Sequence, residues 1–302
     1  MRVLISGSSG LIGSSLVASL RVDGHDVRVL VRRPSSAASE VTWQPQRGAD
    51  GVDDILRDAV SSSDAIVNLA GSGVAEKRWD QAYKDTILNS RVTATTCLAT
   101  AIAQVETKPS AFVSGSAGGY YGDTGSEAVD ESAPRGNTFL AEVADAWERA
   151  AIPAAEAGVR VSHPRTGTVA DPHGGAFGRL LPLLRAGVGG SLGSGRQWWS
   201  LISLRDEVAA IRHLIDNPTV VGPVNFSAPQ QATNADLTKA LGKALNRPAV
   251  VAAPRFAVRT ILGEFAEELF IDQRMAPAKL LATGFQFSDP TISDIVAGLV
   301  NN

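Results

Sequence analysis

Apolar and polar positions along the chain alternate between two rhythms. Arg2 to Ser6 (RVLIS) is a short apolar run of strand length, and Leu11, Ile12, Leu16, Val17 and Leu20 then recur at helical spacing up to Gly24. His25 to Arg33 (HDVRVLVRR) predicts a second strand. Pro34 to Gly51, rich in Ser, Gly, Pro and Gln, reads mostly as loop. A short helix over Val52 to Val60, a buried strand over Asp64 to Ala70 and a long helix from about Asp80 to Val105 follow. The same alternation continues through a strand at Ala111 to Ser116, a helix at Phe139 to Ala151 and a strand leaving through Val169. Strand and helix in this order predict an α/β fold, a Rossmann-type doubly wound parallel sheet, over residues 1–170.

Beyond residue 170 the rhythm loosens. Gly174-Gly175 and Gly187 to Gly195 mark connections around a short helix at Arg179 to Leu184. Gln197 to Ser203 predicts a strand and Arg205 to Asp216 a helix. Pro223 to Ala228 predicts another strand, and Thr233 with Asp236 has the spacing of a capping box. A last strand is expected at Val250-Val251, then helices near Phe256–Phe270 and Pro277–Thr283. Residues 171–302 are expected to form a smaller C-terminal α/β substrate lobe, with some segments returning to the first domain.

The turn between the first strand and first helix carries the first chemistry. Gly7, Gly10 and Gly13 recur three apart within a strand-turn-helix-strand unit, the setting of a dinucleotide-binding turn. Gly7 permits the turn, Gly10 lets backbone approach a pyrophosphate, and Gly13 lets the helix lie against the strand. The N–H groups of the first helical turn then face the phosphates. At the end of the second strand, where an acidic residue would bond the ribose hydroxyl of NAD, stand Arg32 and Arg33. Two guanidiniums suit a 2′-phosphate, so NADP(H) is the expected cofactor.

Composition narrows the partners. The 302 residues carry a net charge of −3 and a single cysteine, Cys97. The charge balance gives no basic footprint for nucleic acid or an anionic membrane, and one cysteine forms no intrachain disulfide. No apolar run reaches the roughly 20 residues of a membrane span, so the cytoplasm is the expected compartment. His25, His163, His173 and His213 are scattered without ligand spacing, so no metal is expected. A homodimer is compatible with the sequence, which fixes no oligomeric state.

Short segments along nearly the whole chain resemble an atypical NAD(P)-dependent epimerase family of the extended short-chain dehydrogenase/reductase superfamily, one with a short C-terminal domain of unknown function. They are GSSGLIG (7–13), NLAG (68–71), RW (78–79), YK (83–84), SR (90–91), GYYGD (119–123), WE (147–148), RTG (165–167), GG (174–175), GVGGSLGSGRQWWS (187–200), NFSAP (225–229) and TGF (283–285). The resemblance implies that Gly7, Ser9, Gly10, Leu11, Ile12 and Gly13 contact the pyrophosphate, with Arg32 and Arg33 near the 2′-phosphate. It further implies that Leu69, Ala70, Gly71, Arg91 and Val169 complete the cofactor site, and that Arg196 and Trp198 meet an anionic, nucleotide-linked substrate.

That superfamily ordinarily works through Tyr-x-x-x-Lys, the lysine helping a phenol of pKa about 10 to act near neutrality. Here the three tyrosines, Tyr83, Tyr120 and Tyr121, are followed at that spacing by Ile87, Thr124 and Gly125. Ser116 at the strand end remains, and Tyr120 and Tyr121 are the substitute acid/base candidates, with Lys84 and Asp123 as groups that could tune them. Tyr121 coincides with the Tyr-Gly element that is often structural in the superfamily. Two functions stay open: an oxidoreductase or epimerase acting on a small polar substrate without the usual pair, and a non-catalytic NADP(H)-binding redox sensor or regulatory protein.

Overall fold

In β1 (Arg2–Ser6), Val3 and Ile5 face one helical layer and Leu4 the other, so a single short strand is buried on both sides. A computed structural model describes residues 1–249 and 251–301 of the chain. After β1 come α1 (Leu11–Val22), β2 (Asp26–Val31), β3 (Glu40–Thr42), α2 (Asp54–Ser61), β4 (Ala65–Asn68), α3 (Gln81–Gln104), β5 (Ala111–Ser114) and β6 (Ser116–Ala117). Then follow α4 (Phe139–Arg149), α5 (Ile152–Glu156), β7 (Arg160–Thr166), β8 (Thr168–Ala170), α6 (Gly175–Arg185), β9 (Trp198–Trp199) and β10 (Leu201–Ser203). The chain closes with α7 (Leu204–Asp216), β11 (Gly222–Phe226), β12 (Ala232–Thr233), α8 (Asn234–Ala244), α9 (Arg255–Leu262), α10 (Ala278–Ala282) and α11 (Ile292–Asn301).

The main sheet is parallel in the order β3-β2-β1-β4-β5-β7-β11, with β6 added alongside β7. Leu16 and Leu20 of α1 and Val208, Ile211 and Leu214 of α7 cover one face. Leu56 of α2 with Leu98 and Ile102 of α3 cover the other. The doubly wound sheet is therefore as expected. β11 belongs to the sheet, and residues of α7 with Leu280 and Phe285 pack in its core, although all of them lie beyond residue 170. A separate cluster, with Phe177, Leu181, Trp199, Leu241, Ile295 and Leu299, forms the core of the remaining lobe.

Three segments differ from expectation. The Pro34–Gly51 loop contains β3, a three-residue edge strand whose Val41 is buried beside β2, and a 3-10 turn at Pro45–Gly51. The helix α11 carries a reciprocal cap, Thr291 Oγ1 with the Asp294 carboxylate and the Asp294 N–H with Thr291 Oγ1, and no helix was expected there. Of the strand at Val250-Val251, Val250 lies outside the described residues; the extended pairing falls instead on Ala253, opposite Leu192. That pairing pins the glycine-rich stretch around Gly193, expected to be a flexible connection.

Candidate functional site

The three glycines of the first turn are not equivalent. Gly7 has φ +72°, and a Cβ there would lie 2.5 Å from the Leu69 carbonyl; a Cβ on Gly13 would lie 2.2 Å from the Gly7 oxygen. Both are required by packing. A Cβ on Gly10 would meet only the Gly7 oxygen, at 3.4 Å, so this exposed residue leaves an open cradle. No side chain caps α1, whereas Asp53, Asp80, Thr138, Ser203 and Thr233 cap α2, α3, α4, α7 and α8. The N–H groups behind Ser9 and Gly10, at Leu11, Ile12 and Gly13, are thus offered outward between β1 and β4, where the sheet order reverses. A dinucleotide pyrophosphate fits that cradle.

The neighbouring pieces converge on it. Asn68 ends β4, accepting from Ser6 Oγ and from the Ala70 N–H and donating to Thr95, which fixes the Leu69–Gly71 exit. Gly174 packs on Leu11, bringing the β8 exit after Val169 to the start of α1. Arg91 lies against Gly71, donates to the Ser72 and Ile87 carbonyls at 2.9 Å, and stands 5.0 Å over the Trp147 ring. It has no carboxylate partner among the described residues, and burial pulls its pKa down to about 10. A bound phosphate would supply the missing counter-charge.

Arg32 and Arg33 separate. Arg32 is exposed and without a partner among the described residues. Arg33 is held by Glu40 through two hydrogen bonds and also reaches the Pro34 carbonyl and Ser36. Of the two guanidiniums expected near a 2′-phosphate, this one is already paired within its own loop. Glu40, missed in the sequence, lies on the strand that was missed with it.

Trp147 links this cradle to a second group of residues, since its ring also fills the space beside Gly115, next to Ser116. Ser116 is buried and donates to Glu148 at 2.7 Å. Glu148 accepts two bonds from Arg165, 2.8 and 2.9 Å, and Arg165 donates to the Tyr121 hydroxyl, which donates to Asn225 at 2.6 Å. Arg165 is buried, only 3% exposed, and Glu148 is largely covered. Tyr121 is likewise buried and its hydroxyl, pushed up to about 12 by that burial, is unsuited to proton exchange near neutrality. Of the two acid/base candidates, Tyr121 is thus the one committed to the network, in keeping with the often structural Tyr-Gly element. Tyr120 differs. The residue is half-buried, its ring is held 3.4 Å from the Arg165 guanidinium and edge-on to Tyr121, and its hydroxyl has no partner among the described residues. Lys84 is taken by Glu264, and Asp123 by the Gly125 and Asp272 N–H groups, so neither tunes the phenol.

In the lobe, Trp198 does not pair with Arg196. Its ring stacks 4.0 Å from the Arg274 guanidinium, which also donates to Gln231 and to the Ser126 carbonyl, while the Arg196 side chain extends from the surface. Arg274 lies 76 positions along the chain from Trp198, so no local spacing could have revealed it. A groove of about 1200 Å³ between α1, α7 and α11 contains none of these candidates. No group of three or more metal-ligating side chains occurs among the described residues, and no helix there is long and apolar enough to cross a membrane.

Comparison with known proteins identifies the family and the fold. The NAD dependent epimerase/dehydratase family matches residues 3–226, and a domain of unknown function (DUF1731) matches 253–298. The epimerase family protein Mb2239 of Mycobacterium bovis is 44% identical over 293 residues, 97% of this chain and 95% of its own. The crystal structure of human epimerase family protein SDR39U1, solved with NADPH, superposes with a TM-score of 0.89 at 32% identity, covering 100% of both chains. A nucleoside-diphosphate sugar epimerase from Corynebacterium glutamicum gives 0.80 at 33% identity, covering 100% of this chain and 59% of that one.

Proposed function

Because the chain belongs to the NAD dependent epimerase/dehydratase family, we propose that it is an NADP(H)-binding oxidoreductase or epimerase of the extended short-chain type. Its substrate is small, polar and nucleotide-linked. The first-turn N–H groups of α1 hold the pyrophosphate, Arg32 the 2′-phosphate, and Arg91 the remaining negative charge beside Gly71. Held there, NADP(H) would supply hydride-transfer chemistry. Tyr120 holds the substrate oxygen and moves its proton, and Ser116, whose own proton goes to Glu148, accepts from the substrate when that oxygen is a hydroxyl. The Glu148–Arg165–Tyr121 network fixes both, holding Ser116 by its hydroxyl and Tyr120 by its ring face. Asp272 and Arg274 orient Trp198, and that arginine–indole stack is the surface offered to the nucleotide end.

The observation that carries this reading is Tyr120, a ring fixed against Arg165 and Tyr121 whose hydroxyl has no partner among the described residues, four residues after Ser116 past the carboxyl end of the sheet. The test follows NADPH oxidation at 340 nm against a panel of carbonyl compounds that includes nucleotide-linked keto sugars. Turnover is expected with at least one, and Tyr120→Phe should lower it by about 10²–10³-fold while leaving NADPH affinity unchanged. Tight NADPH binding without oxidation by any compound on the panel would count against an enzyme.

A further inference from the structure

The loop after β2 is built more firmly than an exposed turn of serines and alanines requires. Glu40 accepts from both terminal nitrogens of Arg33, from the Ser36 N–H at 2.7 Å and from the Ser36 hydroxyl at 2.9 Å. Thr42 donates to the Arg33 carbonyl at 3.1 Å and accepts from the Ser35 N–H at 3.0 Å. The two side chains share one face of β3, because Val41 between them turns into the core. β3 pairs with β2 through Val29–Glu40, Leu30–Val41 and Val31–Thr42, which sets Thr42 beside the residue that precedes Arg32. The edge strand thus fixes both backbone and side chain from Arg33 to Ser36. Arg33 and Glu40 neutralise one another, and Arg32 is left as the one uncommitted cation of the pair.

We propose that Glu40 and Thr42 are positioning residues for the adenosine 2′-phosphate: they fix the Arg33–Ser36 loop so that Arg32 and the adjoining serines meet that phosphate, and they thereby set the preference for NADP(H) over NAD(H). The proposal rests on the cofactor reading above. Its physical basis is preorganisation. A loop already ordered by β3 loses little freedom when a phosphate binds, whereas a loose loop must be ordered at that moment. A ligand without the 2′-phosphate gains nothing from the loop, so the effect is confined to the phosphorylated dinucleotide.

The experiment measures NADPH and NADH dissociation constants by quenching and calorimetry for the full chain and its variants, with 2′,5′-ADP and 5′-AMP as fragments. Glu40→Ala and Thr42→Val should each weaken NADPH and 2′,5′-ADP by about 10-fold, with NADH and 5′-AMP held within about twofold. Glu40→Gln, which keeps acceptors for Arg33 and Ser36, should fall between wild type and Glu40→Ala. Retained NADH binding shows that each variant is folded, and near-isosteric Thr42→Val provides the case in which folding is least disturbed. Equal losses for both dinucleotides would reveal a merely structural strand and overturn the proposal. So would unchanged or tighter NADPH binding in Glu40→Ala, which would mean that the freed Arg33 is the better ligand. A wild-type protein that does not prefer NADPH over NADH would overturn the cofactor reading itself, a failure visible before any variant is made.

Discussion

A methyl group on Gly13 would collide with the Gly7 carbonyl oxygen at 2.2 Å, and one on Gly10 would meet that oxygen at 3.4 Å, near ordinary contact. Two alanine substitutions three residues apart should therefore do different things. Gly13→Ala is expected to cost about 1–3 kcal/mol of stability by overpacking, read from urea unfolding. Gly10→Ala, at an extended backbone position that alanine tolerates, should unfold like wild type yet bind NADPH at least about 10-fold more weakly, because the methyl enters the pyrophosphate cradle. Similar stability losses for the two would remove the distinction. The packing demands at Gly7 and Gly13 were legible from spacing, and the Tyr-Gly element already marked Tyr121 as often structural, but the partners of the two tyrosines were not legible. Adjacent residues of one type differ only in what lies across from them: Asn225 and the deep end of Arg165 for one, an open hydroxyl for the other. The pairing of Arg33 with Glu40 was hidden for the same reason, since Glu40 lies on a strand that carries no period of its own.

The first turn of α7 brings a fully buried carboxyl, Glu207, under the end of β7. Thr166 donates to one of its oxygens at 2.8 Å, the other has no partner, and burial raises its pKa to about 8. The folded chain thus keeps a proton that the unfolded chain, at an ordinary value of 4.5, has lost. Stability tied to this group is complete below about pH 4.5 and is lost as pH rises to about 8, by up to about 1.4 kcal/mol per pH unit. Glu207→Gln, uncharged throughout, should gain on wild type between pH 5 and 8; parallel unfolding free energies across that range would refute the assignment. Elements with strong local signals were legible, among them α3 between Asp80 and Val105 and the Thr233 capping box of α8. β3 was not, because three residues beside a serine-rich loop carry no period, and only pairing with β2 makes them a strand. For α11 the signal was present in the Thr291–Asp294 spacing, ahead of the buried Ile292, Ile295 and Leu299.

For the whole molecule, the parallel order of the sheet followed from the alternation of elements. Which late segments rejoin it did not, because a strand such as Gly222–Phe226 looks the same in either lobe. If the dinucleotide binds the folded chain alone, NADPH at about 100 times its dissociation constant should raise the unfolding free energy by about 2.7 kcal/mol. The same concentration of NADH should raise it by less, and equal thermal shifts from the two would argue against 2′-phosphate recognition. The return of the chain to its own sheet also bears on how the protein is made. A nascent chain that has emerged only through β7 presents an unpaired strand edge, and the face that Leu280 and Phe285 will cover is still open. Vectorial synthesis therefore cannot complete the nucleotide-binding sheet early. Its last strand ends at Phe226 and the cover of that face at Phe285, so edge and face both stay open to pairing with other chains until those segments have been made.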